Sequence, residues 1–202
     1  MVKYIGILLL ILIGCASSVD NLVLMHSKKS YPELLNQYKS SKGKGLIHSR
    51  GTVNGKLSFS YKSQGDSTFF QFSDMVGRKT LLMWISPNTI TIRDLINNKY
   101  YENNQVVNIF PYLEILGTKD ITKFVWGVEP DLKQKLKNIN KNLNNDMILK
   151  FSYTKLNNEK NALTSLDFSD RNSGNKLKID IKKRERGTDH INMKKLWKML
   201  EF

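Results

Sequence analysis

Apolar and polar residues alternate along many short segments of this chain, and such alternation predicts antiparallel β-strands. Leu57, Phe59 and Tyr61 alternate with polar residues, which gives this segment one apolar and one wet face. Asn54 and Gly55, just before it, form the strongest short hairpin signal in the chain. Strands are predicted at 46–53, 57–61, 68–72, 79–86, 89–93, 99–101, 147–154, 163–169 and 176–182.

One predicted strand departs from this alternation. Residues 81–85 (LLMWI) are apolar on both faces of the strand. Because a contiguous apolar patch is rarely left in water, we expect another part of the chain to cover the outer face of this strand.

Helical spacing of apolar residues predicts two short helices in the middle of the chain, at 106–116 and 118–126, each followed by a glycine. Two apolar helices inserted between strands predict a lid or plug over the sheet. The lysine- and asparagine-rich segment 132–145 is expected to form a long loop or a frayed helix.

Two more helices are predicted near the ends of the domain. The first begins at Tyr31, with Ser30 as its N-cap and Pro32 in its first turn, and the segment 40–45 (SSKGKG) is expected to end it. The second, at 190–202, is basic and amphipathic. It either lies on a membrane surface or packs against the strands, and we favour packing.

The first 15 residues have the pattern of an export signal that ends at a lipid-modified cysteine. Lys3 precedes an apolar run at 4–13, and Gly14 directly precedes Cys15, the only cysteine. Such a run is too short to span a bilayer, which needs about 20 residues. We expect cleavage before Cys15 and acylation of its thiol; the alternative is an ordinary buried cysteine. The resulting segments are a signal peptide at 1–14, a lipidated cysteine and tether at 15–30, and a folded domain at 31–202.

The formal net charge of +14 favours an anionic partner. We expect no nucleic-acid partner, because an exported protein rarely meets one and because the lysines are spread along the chain. Heavy lysine, asparagine and isoleucine usage is typical of a bias in the source genome. The functional alternative is attraction to anionic lipid head groups, worth about 1 kcal/mol per well-placed lysine.

The chain has no recognisable catalytic pattern. His26, His48 and His190 are scattered and lack metal-ligand spacing. A serine elbow, a phosphate-binding glycine loop and a dinucleotide fingerprint are all missing. We therefore expect a monomeric binding protein without a cofactor or metal, rather than an enzyme.

Several motifs, in this order and spacing, resemble the outer-membrane lipoprotein receptors of the LolA/LolB family over about 45–181. They are Arg50 and Gly51 in an early strand, the strand and loop at 70–77, the tryptophan-containing segment 124–131 (FVWGVEPD), Leu166, Asp167 and Phe168, and the strand at 176–181. The resemblance implies a half-open antiparallel β-barrel, mainly β with a few helices, in which a helical lid covers an apolar cavity.

The resemblance also implies a function. Such a receptor, anchored at the periplasmic face of the outer membrane, accepts lipoproteins from a LolA-like periplasmic carrier and inserts them among the membrane lipids. Cys15 is followed by Ala16 and Ser17 rather than by an acidic residue, and this resembles the pattern of outer-membrane lipoproteins. The residues expected to contact the acyl chains, with ordinary core packing as the alternative, are Phe59, Tyr61, Phe70, Phe72, Trp84, Ile90, Ile92, Phe110, Leu113 and Trp126.

In the family, an exposed leucine on a protruding loop puts lipoproteins into the membrane. The matching loop here is Met75, Val76 and Gly77, with methionine in place of the usual proline and valine in place of the leucine. Other hypotheses are an envelope lipoprotein of the same fold that binds another lipid or has a structural role, and a lipid-anchored hydrolase. The hydrolase has no nucleophile–base motif to support it.

Overall fold

The computed structural model of the chain describes residues 29–51, 54–110, 112–133, 135–138, 147–157 and 159–201. The predicted signal peptide, Cys15, the tether up to residue 28 and much of 132–145 lie outside these ranges. The strands of the described part are β1 (Ser40–Arg50), β2 (Gly55–Gln64), β3 (Ser67–Ser73), β4 (Lys79–Ile85), β5 (Ile90–Asp94), β6 (Lys99–Glu102), β7 (Met147–Leu156), β8 (Glu159–Asp170) and β9 (Lys176–Gly187).

These strands form one nine-stranded sheet in the order β6-β5-β4-β3-β2-β1-β9-β8-β7. Every neighbouring pair is antiparallel. The sheet is not closed, since β6 and β7 form its two edges. The prediction of a mainly β fold with a few helices is therefore confirmed.

The helices lie between and beside the strands. Their bounds are α1 (Tyr31–Gln37), α2 (Asn104–Ile109), α3 (Tyr112–Ile115), α4 (Thr118–Trp126) and α5 (Met193–Trp197). The predicted helix at 106–116 is in fact two helices, α2 and α3, while α4 has the predicted bounds. Gly127 ends α4 at a φ of 91°, a left-handed conformation that favours glycine.

The segment 40–45 was expected to end α1, but the helix already ends at Gln37 and the segment has a different role. It is the first half of β1, which pairs with β2 and β9 at the centre of the sheet. The ring of Tyr61 lies over Gly43 and that of Phe59 over Gly45, so close that an added Cβ would lie 2.6 Å and 2.5 Å from them. The neighbouring aromatic rings thus fill the space that side chains of these glycines would occupy.

The two faces of the sheet carry separate apolar clusters. On the face that we call inner, Phe59, Phe70 and Met83 join the main core with α4. On the outer face, Phe69 and Leu82 pack against Leu196 and Leu200 of the C-terminal segment. The expected cover over 81–85 is thereby found, and the C-terminal helix packs against the strands as predicted.

The antiparallel order gives the sheet two different ends. Strands β1, β3, β5 and β8 all finish at the same end, which we call the loop end. The loop 74–78 and the turns 95–98 and 171–175 lie there. The helix α4 lies over the opposite end, where Thr122 is 3.3 Å from Thr68 and Thr118 donates to the Pro87 carbonyl.

Candidate functional site

An aromatic layer covers the inner face of β2 and β3. The ring centroids of Phe59 and Phe70 are 5.8 Å apart, and those of Phe70 and Phe72 are 5.9 Å apart and stacked. Tyr61 continues the layer at 6.1 Å from Phe70. The alternation of β2 and β3 places these rings on one face, and the register of the pair places Phe59 opposite Phe72 and Tyr61 opposite Phe70.

Most of the residues expected to contact acyl chains lie together in this core. Phe110 and Leu113 are half-buried against it. The fully buried members are Phe59, Tyr61, Phe70, Phe72, Ile90, Ile92 and Trp126. These seven side chains are packed interior of the protein.

Trp84 does not join them, so its placement in the same cavity is wrong. Within β4, Leu81, Met83 and Ile85 face inward, and Trp84 alternates to the outer face. Its ring lies 5.2 Å from that of Trp197, in an edge-to-face contact with the C-terminal helix. Because residues 81–85 are apolar on both faces of the strand, the sequence did not indicate on which face Trp84 lies.

The C-terminal end of α4 is held by two arginines of β9. Arg184, only 5% exposed, donates to the carbonyls of Val125 (2.8 Å) and Phe124 (3.2 Å), and also to that of Leu163 in β8. Arg186 donates to the Trp126 carbonyl at 2.7 Å. These bonds satisfy carbonyls that a helix end leaves without partners, and cations are favoured at that end of a helix dipole.

Buried hydroxyl groups hold the same helix from its inner side. The Trp126 indole N–H donates to Ser63 at 2.8 Å, and Ser63 lies 2.8 Å from the Thr68 hydroxyl. At the other end of α4, Asp120 accepts from the Gly117 N–H and forms an ion pair with Lys135 at 2.8 Å. The helix is therefore fixed at both ends and closes this end of the inner face.

Tyr61 adds one hydrogen bond to this anchorage, and we expect Tyr61→Phe to lower the free energy of unfolding by about 1 kcal/mol. Its hydroxyl, whose pKa is raised by burial, donates to the Val125 carbonyl at 3.0 Å. That carbonyl keeps its bond from Arg184, so the loss is modest. Urea denaturation measures the change, with Tyr100→Phe on the exposed β6 as control. A variant as stable as the wild type would contradict the prediction.

At the loop end the inner face is still apolar but only partly covered. Ile179, Ile47 and Leu57 are direct cross-strand neighbours on β9, β1 and β2. With Leu81 and Leu149 they form a half-buried set that we call the apolar mouth. The sequence indicated apolar positions here but not their partial exposure, because exposure depends on which end of the sheet the helices cover.

The helix α3 contacts β8 near the loop end of the sheet. The rings of Tyr112 and Phe168 are 4.9 Å apart in an edge-to-face contact. Burial raises the pKa of the Tyr112 hydroxyl, and a hydrogen bond with Ser49 opposes that rise. The contacts of Tyr112 with β8 are thus apolar, unlike the arginine and hydroxyl bonds that hold α4.

Beside the apolar mouth, the loop 74–78 exposes the side chains of Met75 (78%) and Val76 (88%). The Asp74 carboxylate accepts from the N–H groups of Val76 (3.1 Å) and Arg78 (2.9 Å), and from the Arg78 guanidinium. Gly77 has a φ of 86°, which favours glycine at this turn. Hydrogen bonds to Asp74 therefore fix the conformation of a loop that exposes two apolar side chains to water.

Asp74 gives this loop a pH dependence. Desolvation raises the pKa of its carboxyl, but hydrogen bonds from Arg78 and Val76 lower it more, so the pKa lies below that of an ordinary aspartate. A lowered pKa stabilises the loop at neutral pH, and the effect is lost as the pH falls through the folded-state pKa. We expect Asp74→Ala to speed amide exchange at Val76 and Arg78 about tenfold at neutral pH. Hydrogen exchange measures this, with Asp131→Ala as control, and unchanged exchange in Asp74→Ala would contradict it.

A groove of about 890 Å³ lies on the other side of the same sheet end. Its lining includes Arg50, Lys176 and Lys178, which alternate to the outer face, together with Asp167. An ion pair joins Lys178 to Asp167 at 3.9 Å. Its lining mixes these charged groups with Ile148, Phe168 and Leu177, whereas the apolar mouth is formed by aliphatic side chains alone and is the better candidate for acyl chains.

Neither a protein-family model nor a curated protein sequence matches the chain. Within the described residues, histidine, cysteine and carboxylate side chains form no group of three or more that could hold a metal ion. The same part of the chain contains no helix with the length and hydrophobicity needed to cross a membrane. The functional conclusion therefore depends on the apolar mouth and the loop beside it.

Proposed function

We propose that this protein is a LolB-like receptor, anchored to the outer membrane, that accepts lipoproteins from a LolA-like periplasmic carrier and inserts them into that membrane. The observation that carries the proposal is the position of the apolar mouth. It lies at the same end of the sheet as Met75 and Val76, whose side chains are exposed on the loop 74–78. An apolar opening next to an exposed apolar loop suits the passage of an acyl chain between protein and bilayer.

In this proposal the open sheet acts as a half-open barrel, and the helices over its inner face act as a lid. The two parts of that lid have different roles. Arg184 and Arg186 fix α4 to β9, so α4 is a permanent plug. The helix α3, which meets Phe168 through an apolar ring contact, is the part that moves aside for a ligand.

Burial of the acyl chain supplies the binding energy. Each methylene transferred from water to an apolar surface contributes about 0.8 kcal/mol, so a segment of a few methylenes in the apolar mouth binds without any covalent step. Bound chains replace water at Ile47, Leu57 and Ile179, which are half-buried in the free protein. The protein is accordingly a binding protein and not an enzyme in this proposal.

The anchor at Cys15 keeps the apolar mouth close to the bilayer. A tether from Cys15 to Ser30 reaches at most about 50 Å when fully extended. Mass spectrometry of the membrane-extracted protein tests the anchor directly. We expect a diacylglyceryl or triacyl mass on the N-terminal peptide, and an unmodified Cys15 would rule the anchor out.

A hand-over assay tests the receptor function, and Ile47→Asn is its most informative variant. We expect acyl-loaded LolA to pass its lipoprotein to the wild-type protein, and acceptance by Ile47→Asn to fall about tenfold, because a buried amide without partners opposes chain binding. Leu46→Asn is the matched control: it is also half-buried, adjacent in β1 and on the outer face. No hand-over to the wild type, or equal losses in both variants, would reject the proposal.

A second candidate is an envelope lipoprotein that binds a lipid without transferring it. The tight packing of the aromatic layer favours it, since Phe59, Tyr61 and Phe70 are at most 5% exposed and leave an acyl chain only the apolar mouth. Lipid binding by the wild type without hand-over from LolA would support this candidate.

A further inference from the structure

The large apolar side chains exposed in the described part of the chain gather in one region. They are Met75, Val76, Ile96, Tyr100 and Met199. Isolated exposed apolar residues are common on protein surfaces, but a cluster of them marks a contact site. All five belong to the β3–β6 half of the sheet at its loop end or to the C-terminal segment beside it, so a contact there extends beyond the loop 74–78.

Ile96 is presented by the same device as Val76. The Asp94 carboxylate accepts from the N–H groups of Ile96 (2.8 Å) and Asn97 (3.0 Å), as Asp74 does from Val76 and Arg78. In both turns, the aspartate accepts a hydrogen bond from the residue two positions after it, and that residue (Val76 or Ile96) has an exposed aliphatic side chain. The exposed fraction of Ile96 is 54%.

The two apolar tips lie side by side. The loop 74–78 joins β3 to β4, and the turn 95–98 joins β5 to β6. Adjacent strands are about 4.8 Å apart, so two turns separated by two strand positions are about 10 Å apart. This spacing lets both tips meet one flat surface.

Next to the Ile96 turn, a cleft of about 510 Å³ separates β4 and β5 from the C-terminal segment. Three of its lining residues are apolar and three are cationic: Leu82, Leu95 and Met199, and Lys79, Arg93 and Lys198. Arg93 also donates to the Met199 carbonyl at 3.4 Å, which ties the C-terminal segment to the sheet. Apolar side chains next to three cations match a molecule with an apolar chain and an anionic head.

Three carboxylates of this region accept hydrogen bonds from neighbouring groups, and each keeps its negative charge. Asp74 and Asp94 accept hydrogen bonds within their own turns. Glu201 accepts from the Trp197 indole at 2.6 Å. None of these carboxylates lines the cleft itself, whose three cations therefore favour an anionic group within it.

We infer that the Ile96 turn and this cleft form a second membrane contact that takes anionic phospholipid. Ile96 enters the interface beside Val76, and a lipid phosphate is bound among Lys79, Arg93 and Lys198. The role of Val76 as the first contact rests on the proposed function. Two contacts about 10 Å apart fix the orientation of the domain, so that the apolar mouth faces the bilayer.

The experiment uses the full chain in vesicles of phosphatidylcholine, with or without phosphatidylglycerol. Because Cys15 is the only cysteine, a cysteine introduced on a Cys15→Ser background carries an environment-sensitive fluorophore at one place. We expect the label in Ile96→Cys to shift to the blue on anionic vesicles and to be quenched by quenchers on the lipid chains. The label in Lys160→Cys, at the other end of the sheet, is expected to remain in water.

Charge reversal tests the cleft. Lys79→Glu combined with Lys198→Glu is expected to lower the ratio of docked to free domain at least about 20-fold, because each lysine near an anionic surface contributes about fivefold. Both lysines are exposed, so folding is retained. The matched control reverses Lys155 and Lys160, which are equally exposed at the far end, and is expected to dock like the wild type.

An unquenched label at position 96 on anionic vesicles would overturn the inference, and so would equal docking of the charge-reversed and wild-type proteins. A blue shift that grows with protein concentration without vesicles would assign the surface to a second copy of the chain. Hand-over without docking rejects only this inference, whereas docking without hand-over rejects only the receptor function.

Discussion

Arg184→Ala is expected to lower the free energy of unfolding by about 3–5 kcal/mol, because it removes a buried charged donor from three carbonyl groups at once. Those groups belong to Phe124, Val125 and Leu163, and hydrogen bonds from Arg184 join α4 to β8 and β9. Burial already lowers the pKa of the Arg184 guanidinium, so the hydrogen bonds are what make the buried cation tolerable. The substitution leaves a cavity and removes one donor from each of the three carbonyls, of which Val125 keeps only its bond from Tyr61 and Phe124 its bond from the Gly127 N–H.

Thermal denaturation followed by circular dichroism measures this loss. For a domain of this size, about 3–5 kcal/mol corresponds to a decrease in Tm of about 6–20 °C. Arg184→Lys, which keeps the charge but not the planar set of donors, is expected to recover only part of the stability. Lys183→Ala is the control, since Lys183 is adjacent and exposed. A decrease in Arg184→Ala no larger than that in Lys183→Ala would contradict the structure.

Arg184 was not predicted from the sequence, and the reason is a β-bulge. Continued alternation from Ile179 and Ile181 would turn Lys183 inward and Arg184 outward. The register between β1 and β9 shifts between Lys44 and Gly45, so that Arg184 lies opposite Gly43 on the inner face. One extra residue in a strand exchanges its two faces, and the sequence KKRER carries no signal for where that happens.

The strands themselves were largely predictable, because each has its own alternation and most turns have glycine, asparagine or proline. Their order was not, since β1 and β9 are neighbours although more than a hundred residues separate them. The exception among the strands is instructive. The segment 40–45 is strand only because Phe59 and Tyr61 of β2 fill the space above its glycines, which a local pattern cannot show.

The candidate site was predictable in its composition but not in its geometry. The exposed positions of Met75 and Val76 agree with the protruding loop expected from the sequence. The side chains expected around an acyl chain are mostly packed in the main core, and the partly exposed apolar surface is formed by Ile47, Leu57 and their neighbours. Hydrophobic periodicity identifies which face is buried, whereas the helices that cover the sheet decide where that face remains accessible.

Val76→Glu is expected to leave acceptance of a lipoprotein unchanged and to slow its release into liposomes at least about tenfold, because a carboxylate is costly to move into a membrane. Val76 is 88% exposed, so the substitution removes no core packing. Its backbone N–H bond to Asp74 does not involve the side chain and is retained. The effect therefore falls on the membrane step, and the apolar mouth is left intact.

Two-step transfer separates these stages: loading from acyl-charged LolA is measured first, and delivery from the purified complex to liposomes second. Val76→Leu, which introduces the leucine found on this loop in the LolA/LolB proteins that the sequence resembles, is the positive control and is expected to release at least as fast as the wild type. Lys160→Glu introduces a carboxylate at an exposed site on the far end and controls for charge alone. Equal release by Val76→Glu and the wild type would remove the loop 74–78 from the mechanism, while a loss already at the loading step would show that the loop belongs to the acyl-binding surface instead.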